Sequence, residues 1–318
     1  MSGLSGIDRI VYGVEDLEMC QRYFKDWGLA LASASATEVV FETLEKSQVV
    51  LRHKDDAELP PAIEEGSTVR EVIWGADSQE ELQRLLDRVE GKVNLARGDD
   101  GIVRCVDANG LTIGFQPTIR ESVDVKGTPT NTCDTAYRID RAAPIYQRAQ
   151  PVRIAHVVFF TADLEAQRTF YVDTLGFNIT DEYPGRGLFL RCVEEGTHHN
   201  LFMLQTPDKK VGLNHSSFLV RDIYEVQGGG IHFGKCGWDT QLGPGRHPIS
   251  SAFFWYFFCP AGALTEYYCD EDYFTRDWQP RTHEPTPENY AEWAIVGGID
   301  SNTRRQKYRE ESDLPPVA

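Results

Sequence analysis

The pattern of apolar and polar positions at the start of the chain predicts one strand, one helix and three more strands. Residues 7–12 (IDRIVY) predict a strand. Residues 15–27 predict a helix, because they have an acidic start and then place Leu17, Cys20 and Phe24 at helical spacing. Three short strand patterns follow, near residues 29–33, 38–43 and 47–52. The unit is therefore βαβββ.

The same unit recurs after a polar connection over residues 54–67. A strand is predicted at 69–75 and a helix at 78–89, and the Asn109-Gly110 pair indicates a hairpin. The remaining strands are predicted near residues 93–97, 101–107 and 111–116, the last one stopping before Pro117 because proline cannot donate to a strand ladder.

The second half of the chain repeats the first. The segment IAHVVFFTADLEAQRTFYVDTLGF matches IDRIVYGVEDLEMCQRYFKDWGL, so that Asp163-Leu164 corresponds to Asp16-Leu17. A fourth unit runs from Leu213 to about Tyr268, and its predicted helix over 223–233 contains three consecutive glycines. The fold class is therefore α+β, with four βαβββ modules in two tandem pairs.

This repeat divides the chain into four predicted parts. We expect an N-terminal domain over residues 1–125, a linker over 126–150, a C-terminal domain over 151–275 and a tail over 276–318. The connecting stretch has little periodicity and is rich in polar residues, threonine and proline. The end of the tail, residues 311–318, is predicted to be disordered.

Composition narrows the possible functions. The formal net charge of -17 argues against binding to nucleic acid or to an anionic membrane surface. No apolar run approaches the roughly 20 residues of a spanning helix, and the first residues lack a signal-peptide pattern. The seven scattered cysteines form no CxxC pair, which favours reduced thiols and a cytoplasmic location.

One buried position points to chemistry. Glu266 shares a strand face with Leu264 and Tyr268, and burying an unpaired carboxylate there costs several kcal/mol or more. A cationic partner, protonation or a metal ion would relieve this cost. His156 and His215, at the starts of two earlier strand patterns, favour the metal, although each residue taken alone is more commonly structural.

The internal repeat supplies a control for this metal site. By sequence alignment, Arg9, about Arg70 and Gly114 stand in the first half where the second half has His156, His215 and Glu266. A residue that the fold itself requires would appear in both halves. We therefore predict one metal site, in the second half, because two imidazoles and one carboxylate form the facial triad of non-haem Fe(II) oxygenases.

At this point the sequence resembles a known family. The four modules are similar to the vicinal oxygen chelate superfamily, and the second half resembles type I extradiol catechol dioxygenases, especially the homoprotocatechuate 2,3-dioxygenase branch. The segments that carry the resemblance are RIAHVVFFTADLEAQRTFYVDTLGF, EEGTHHNLFML, GLNHSSFLVRD and GPGRHPISSAFFWYFFCPAGALTEYYCDEDYF, and NYAEWAIVGGID in the tail is similar to the same branch.

The resemblance implies a metal centre and a substrate pocket. His156, His215 and Glu266 would bind Fe(II), with Mn(II) as a possible substitute, and O₂ would be the co-substrate. His199 would be the acid–base residue, with a solvent-facing strand position as the alternative. We also expect His198 to point to the opposite face of that strand.

The other implied site residues line the substrate pocket. Tyr256 would orient a substrate hydroxyl, or simply pack among aromatic residues. His247 would contact a substrate oxygen, or lie in a surface loop. Arg246 would attract an anionic substituent or be solvated, and Ser251 is predicted to line the pocket. Arg281 or the pair Arg304-Arg305 is a further candidate for a substrate carboxylate.

Three residues depart from the family pattern. Val158 stands where relatives often have a polar residue, and Ser250 and Ser251 stand where they have Asp or Asn. The pocket wall is therefore altered, and substrate preference is not transferred from any one relative.

The sequence thus predicts an Fe(II)-dependent extradiol dioxygenase that cleaves a substituted catechol in the catabolism of aromatic compounds. We expect a homo-oligomer, either dimer or tetramer, without nucleic-acid or membrane partners. The alternatives are a 4-hydroxyphenylpyruvate-type dioxygenase or another metalloenzyme of the same scaffold, and a metal-free protein that sequesters an aromatic drug.

Overall fold

Two curved β-sheets, one from each half of the chain, form the framework of the protein. The computed structural model describes residues 2–296. The first sheet has eight strands in the order β2-β3-β4-β1-β5-β8-β7-β6. These strands are β1 (Leu4–Val14), β2 (Ala30–Ala34), β3 (Glu38–Glu42), β4 (Gln48–His53), β5 (Thr68–Ala76), β6 (Ala96–Arg97), β7 (Val103–Val106) and β8 (Thr112–Pro117).

The second sheet repeats this order and adds one strand at each edge. Its order is β19-β10-β11-β13-β9-β14-β17-β16-β15-β20, and β12 and β18 pair separately. The strands are β9 (Arg153–Phe160), β10 (Asn178–Tyr183), β11 (Gly187–Arg191), β12 (Gly196–Thr197), β13 (Leu201–Leu204), β14 (Gly212–Leu219), β15 (Thr240–Arg246), β16 (Phe253–Phe258), β17 (Leu264–Cys269), β18 (Tyr273–Phe274), β19 (Arg281–Thr282) and β20 (Trp293–Val296). The predicted α+β fold of four βαβββ modules is confirmed.

Each module contributes one main helix, and capping side chains fix where it begins. Asp16 accepts a hydrogen bond from the Met19 amide at 2.8 Å, and Ser78 accepts one from the Glu81 amide at 3.1 Å. The third helix is short and continues as a π-helical turn over Thr169–Thr174. The helices are α1 (Leu17–Trp27), α2 (Gln79–Val89), α3 (Leu164–Arg168), α4 (Ile223–Lys235) and a single turn, α5 (Pro287–Tyr290).

Aromatic side chains join the two halves into one core. Trp27 of α1 stacks on Tyr267 of β17 with ring centroids 3.5 Å apart, and its ring meets Phe233 of α4 edge-on at 4.9 Å. The Tyr267 hydroxyl donates to the Trp27 carbonyl at 2.6 Å, and the Tyr12 hydroxyl donates to Ser216 Oγ at 2.9 Å. These residues are buried, so each half covers apolar surface of the other.

The three consecutive glycines of α4 allow this helix to approach its neighbours closely. A Cβ atom on Gly230 would lie 2.1 Å from the Trp255 ring, and one on Gly228 would lie 2.2 Å from the Tyr146 carbonyl oxygen. The backbone of α4 therefore packs where no side chain fits. This contact explains why residues with low helix propensity are found in the interior of a helix.

Strands β19 and β20 show how strongly the second sheet is curved. They occupy its opposite edges, which in a flat ten-stranded sheet would lie roughly 43 Å apart at about 4.8 Å per strand. The connection from Thr282 to Trp293 reaches at most about 40 Å when fully extended, and α5 shortens it further. The sheet must therefore curl, and the connection crosses its concave side.

No helix among the described residues is long and apolar enough to cross a membrane. The predictions for Arg304-Arg305 and for disorder over residues 311–318 lie outside the described residues, as do the last four residues of NYAEWAIVGGID.

Candidate metal centre

Three neighbouring strands at the centre of the second sheet carry the predicted metal ligands. His156 lies on β9, His215 on β14 and Glu266 on β17. Ser217 of β14 pairs with His156 on one side and with Glu266 on the other, and His215 lies two residues before Ser217. Residues two apart on a strand face the same side, and all three side chains reach one concave region.

The donor atoms of these three residues are spaced for one ion. His156 Nε2 lies 3.3 Å from His215 Nε2 and 3.1 Å from Glu266 Oε2, and His215 Nε2 lies 3.5 Å from that same oxygen. Metal–ligand bonds of about 2.1 Å separate donors by about 3.0 Å at right angles and by about 3.4 Å at tetrahedral angles. The residues therefore fit a divalent ion.

The electrostatics of the three groups also suit a metal. Burial lowers the pKa of His156 to about 3 and also lowers the pKa of His215, so both imidazoles are neutral. Burial opposes ionisation of Glu266, but the close imidazole rings of His156, His215 and His247 hold the pKa of this carboxyl well below its ordinary value. Glu266 Oε2 is buried without a hydrogen bond of good geometry. Two neutral imidazoles and a carboxylate are the ligand forms that a metal requires.

Tyr256 and His247 form a hydrogen-bonded pair beside the ligands. Tyr256 pairs with Glu266 across β16 and β17. His247 Nδ1 donates to the Tyr290 carbonyl at 2.6 Å, so in the neutral ring Nε2 accepts from the Tyr256 hydroxyl at 3.0 Å. His247 Nε2 also lies 3.5 Å from Glu266 Oε1. The structure thus brings both residues to the metal ligands.

His199 lies on the other side of the ligands, just before β13. Its ring is tilted against His156 with centroids 4.0 Å apart, and its Nδ1 lies 3.1 Å from Glu271 Oε1. His198 was expected on the opposite face, and this prediction is wrong. Both histidines precede the strand, so alternation does not apply to them, and both line the same cavity.

Arg246, Ser251 and Arg281 do not face the ligands. Arg246 forms an ion pair with Glu292. Ser251 Oγ donates to Asp272 at 3.1 Å, and Ser250 lines the cavity in its place. Arg281 pairs with Asp181, with Nη2 2.6 Å from Oδ2. None of these three lines either of the cavities described below.

Two adjoining cavities open on the site. One of about 50 Å³ is lined by the three ligands, His199, His247 and Tyr256, and another of about 330 Å³ lies next to it. Five residues line both cavities, so the two spaces are immediate neighbours: Val158, Tyr183, Phe202, His215 and Tyr290.

The first half of the chain carries an ion pair at the corresponding place. Because Val11 pairs with Glu71 as Val158 pairs with His215, the counterpart of His215 is Glu71, and the predicted Arg70 is wrong by one residue. The strand ladders are irregular near these positions, which shifts a sequence alignment. Glu71 is buried and bound to Arg104, with Oε1 2.7 Å from Nε. Paired charges thus replace the ligand set there.

Two groups of residues among those described could hold an ion, and both include His156. They are His156, His215 and Glu266, and His156, His199 and Glu271. The sequence analysis did not single out Glu271. The sequence feature that could have indicated it is the acidic run Asp270-Glu271-Asp272 directly after β17. Such a run is also typical of a solvent-exposed turn.

Comparison with known proteins finds a matching family model and named relatives for parts of the chain. Residues 153–267 match the model of the Glyoxalase/Bleomycin resistance protein/Dioxygenase superfamily. The chain is 32% identical to metapyrocatechase 2 of Cupriavidus necator over 40% of its own length and 39% of that relative, so the match spans well under half of it. It is 27% identical to metapyrocatechase of Geobacillus stearothermophilus over 72% of its length and 73% of the relative.

Solved structures agree on the architecture. The Mn(II)-bound glyoxalase from Novosphingobium aromaticivorans superposes with a TM-score of 0.71 at 23% identity, covering 97% of this chain and 96% of that one. The chain has the vicinal oxygen chelate fold. Homoprotocatechuate 2,3-dioxygenase from Arthrobacter globiformis shares this fold, with a TM-score of 0.68 at 17% identity over 91% of this chain and 87% of its own. The predicted resemblance to extradiol dioxygenases of the vicinal oxygen chelate superfamily is confirmed.

Proposed function

We propose that this protein is an Fe(II)-dependent extradiol dioxygenase that cleaves the ring of a substituted catechol in aromatic-compound catabolism. The observation that carries the proposal is the convergence of His156, His215 and Glu266, with donor atoms 3.1–3.5 Å apart, on a cavity that is also lined by a fourth histidine and a tyrosine. The metapyrocatechase relatives support this activity.

The three ligands would hold Fe(II), and Mn(II) fits the same donor set. When bound, the ion supplies a Lewis acid for two adjacent hydroxyls and an open position for O₂. The second-half location of the site leaves the first half as scaffold.

Residues around the three ligands would handle the substrate proton and orient the substrate. His199 lines the same cavity and would take a proton from a substrate hydroxyl as a general base. Burial raises the pKa of the Tyr256 phenol well above its ordinary value, so this residue stays protonated and donates a hydrogen bond to His247. Its oxygen would then orient a substrate hydroxyl by accepting a hydrogen bond from it.

The cavities favour a catechol with an apolar substituent. A space of about 50 Å³ is smaller than the roughly 150 Å³ cavity that admits benzene, so the ring and its substituent extend into the space of about 330 Å³. That space has apolar walls, including Leu204, Leu242 and Pro287, with Arg186 and Gln241 available for hydrogen bonds. We infer a hydrophobic substituent, with a polar group tolerated at its end.

The test is reconstitution under anaerobic conditions with Fe(II) or Mn(II), followed by oxygen and a panel of catechols. We expect oxygen uptake and a yellow product, with higher kcat/KM for 4-alkyl or aryl catechols than for catechol itself. The variant His156→Ala should lose metal and activity, whereas His53→Ala, an exposed histidine of the first half, should keep both. Aromatic binding without oxygen uptake would instead support a sequestering protein.

We also propose a cytoplasmic location and a homo-oligomeric state. All seven cysteines are free, which supports a reducing cytoplasm. We expect a homo-oligomer, and size-exclusion chromatography that gives a monomer at micromolar concentration would contradict it.

A further inference from the structure

A buried chain of polar side chains continues behind His199, away from the metal ligands. His198 Nδ1 lies 3.1 Å from His199 Nδ1, and His198 Nε2 lies 3.1 Å from Asp181 Oδ2. His198 and Asp181 are both fully buried. Asp181, His198 and His199 therefore form one continuous hydrogen-bonded row.

Asp181 is anchored on its far side. Arg281 Nη2 donates to Asp181 Oδ2 at 2.6 Å, and His283 Nε2 lies 3.2 Å from the same oxygen. Burial raises the pKa of Asp181, but hydrogen bonds from His198 and Arg281 outweigh it and hold the pKa below the ordinary value. Asp181 is therefore a carboxylate and can only accept hydrogen bonds.

This fixes the proton positions along the row. A neutral imidazole has one N–H and one acceptor nitrogen. Because Asp181 accepts, His198 carries its proton on Nε2, and its Nδ1 must accept. The partner of that Nδ1 is His199 Nδ1, which must therefore be the donor. In a neutral His199 ring, Nε2 is then left with a free lone pair.

We propose that Asp181 and His198 are positioning residues that hold His199 in the tautomer with its proton on Nδ1 and its lone pair on Nε2. The inference rests on the proposed function, because this tautomer makes Nε2, the nitrogen not bonded to His198, the base in that reaction. His199 Nε2 would take the proton of a substrate hydroxyl, the O–H electron pair staying on oxygen, and the ring would become an imidazolium.

Glu271 supports the same tautomer. Its Oε1 lies 3.1 Å from His199 Nδ1 without a hydrogen bond of good geometry, so it acts through its negative charge, which favours a proton on that nitrogen. Its carboxylate would also stabilise the imidazolium formed during the reaction. His198 and Glu271 therefore both favour a proton on His199 Nδ1. Removing one of them should weaken the preference for this tautomer without abolishing it.

Substitutions at His198 test the proposal. The ring packs between Phe189 and Phe274, with centroids at 4.9 and 5.6 Å, so phenylalanine fits but offers no hydrogen bond. We expect His198→Phe to lower kcat on the order of 10- to 100-fold, with metal content and anaerobic substrate affinity unchanged. His198→Gln should restore kcat to within about 3-fold of wild type, because its amide can donate to Asp181 and accept from His199.

A second measurement reads the tautomer directly. In Zn²⁺-loaded protein with ¹⁵N-labelled histidine, we expect His199 to carry its proton on Nδ1. Asp181→Asn offers an N–H to His198 in place of a carboxylate oxygen, so the row should reverse and His199 should gain the Nε2–H form.

Several outcomes would overturn the proposal. These are a wild-type kcat in His198→Phe, equal losses in His198→Phe and His198→Gln, or an Nε2–H tautomer of His199 in the wild-type protein. If the wild-type protein cleaves no catechol, the proposed function fails, but the spectra still decide whether Asp181 and His198 set the tautomer.

Discussion

At the scale of single residues, the site is defined by which buried polar groups are partnered. Glu266 is buried and faces two neutral imidazoles, and its Oε2 lacks a well-formed hydrogen bond. Glu225 is equally buried, but it accepts from the Gln150 and Arg221 amides at 2.9 and 2.8 Å. One carboxylate is thus satisfied by the fold, and the other is left for a ligand.

Replacing Glu266 should therefore abolish tight metal binding, whereas replacing Glu225 should not. We expect Glu266→Gln to weaken Fe(II) affinity by more than about 10-fold, because two neutral imidazoles remain without a charged ligand. The measurement is metal content after dialysis, per mole of folded protein. Equal metal content in Glu266→Gln and Glu225→Gln would contradict the ligand assignment.

Asp107 gives the stability of the protein a predictable pH dependence. Burial raises its pKa to about 6 from an ordinary 3.8, although the Leu111 amide and the Tyr171 hydroxyl donate to it. The folded state thus holds this proton more tightly than the unfolded state. The protonated Asp107 therefore contributes its full stabilisation below about pH 4, and this contribution is lost as the pH rises through about 6. At about 1.4 kcal/mol per pKa unit, the loss is roughly 3 kcal/mol.

The variant Asp107→Asn isolates this effect. It removes the titration, and the unpartnered Oε1 of Gln167 can turn to accept from the new amide. Urea unfolding between pH 4 and 6.5 should show the wild-type protein losing stability relative to the variant. A constant difference between the two proteins across this range would rule the pKa shift out.

How far the sequence predicts individual residues depends on whether they break a local pattern. Glu266 breaks the alternation of its strand, and His156 breaks the repeat, so both are visible. Glu271 and Asp181 belong to ordinary acidic runs, and their burial depends on how distant strands meet. Ser250 and Ser251 are adjacent, and only the backbone turn decides which one faces the cavity.

At the scale of elements, strand and helix positions follow from the sequence, and irregularities in the ladders do not. The helix over Gln79–Val89 agrees with the pattern of its leucines and its cap. The sequence does not reveal the one-residue shift that makes Glu71 the counterpart of His215, because bulges depend on pairing between strands. The spacing of apolar residues likewise does not indicate the π-helical turn after Arg168.

Helix α4 provides a test of close packing with an internal control. Gly230→Ala places a Cβ atom 2.1 Å from the Trp255 ring, so we expect a loss of about 1–3 kcal/mol of unfolding free energy from overpacking. Gly234 lies on the same helix with nothing within 4 Å of its Cβ position. Gly234→Ala should therefore gain about 0.5–1 kcal/mol from helix propensity. Similar effects of the two substitutions in chemical denaturation would contradict this packing.

At the scale of the whole molecule, the two halves depend on each other. Trp27, Tyr267 and Phe233 belong to one continuous core that contains residues from both sheets. The sequence predicts the tandem pairs, because the repeat is visible. It does not predict which faces of the halves are buried together, since helices of both pairs have similar apolar stripes.

We therefore expect the second half to be unstable alone. A fragment over residues 151–318 would expose the rings of Tyr267 and Phe233, which Trp27 now covers, and such a patch favours aggregation. Expression of this fragment, with and without the first half supplied as a separate chain, is the measurement. A monomeric fragment with a cooperative thermal transition would show that the halves are independent.

The short connection between the two edge strands of the second sheet has a mechanical consequence. This connection joins the two edges of the curled sheet, and its residues Asn289 and Tyr290 line the cavity. It therefore limits how far the two edges can move apart at the site. Hydrolysis of a single peptide bond between residues 283 and 286 would break this connection, while each predicted metal ligand would stay in its strand. Nicked protein would then retain its ion but exchange bound aromatics faster than intact protein.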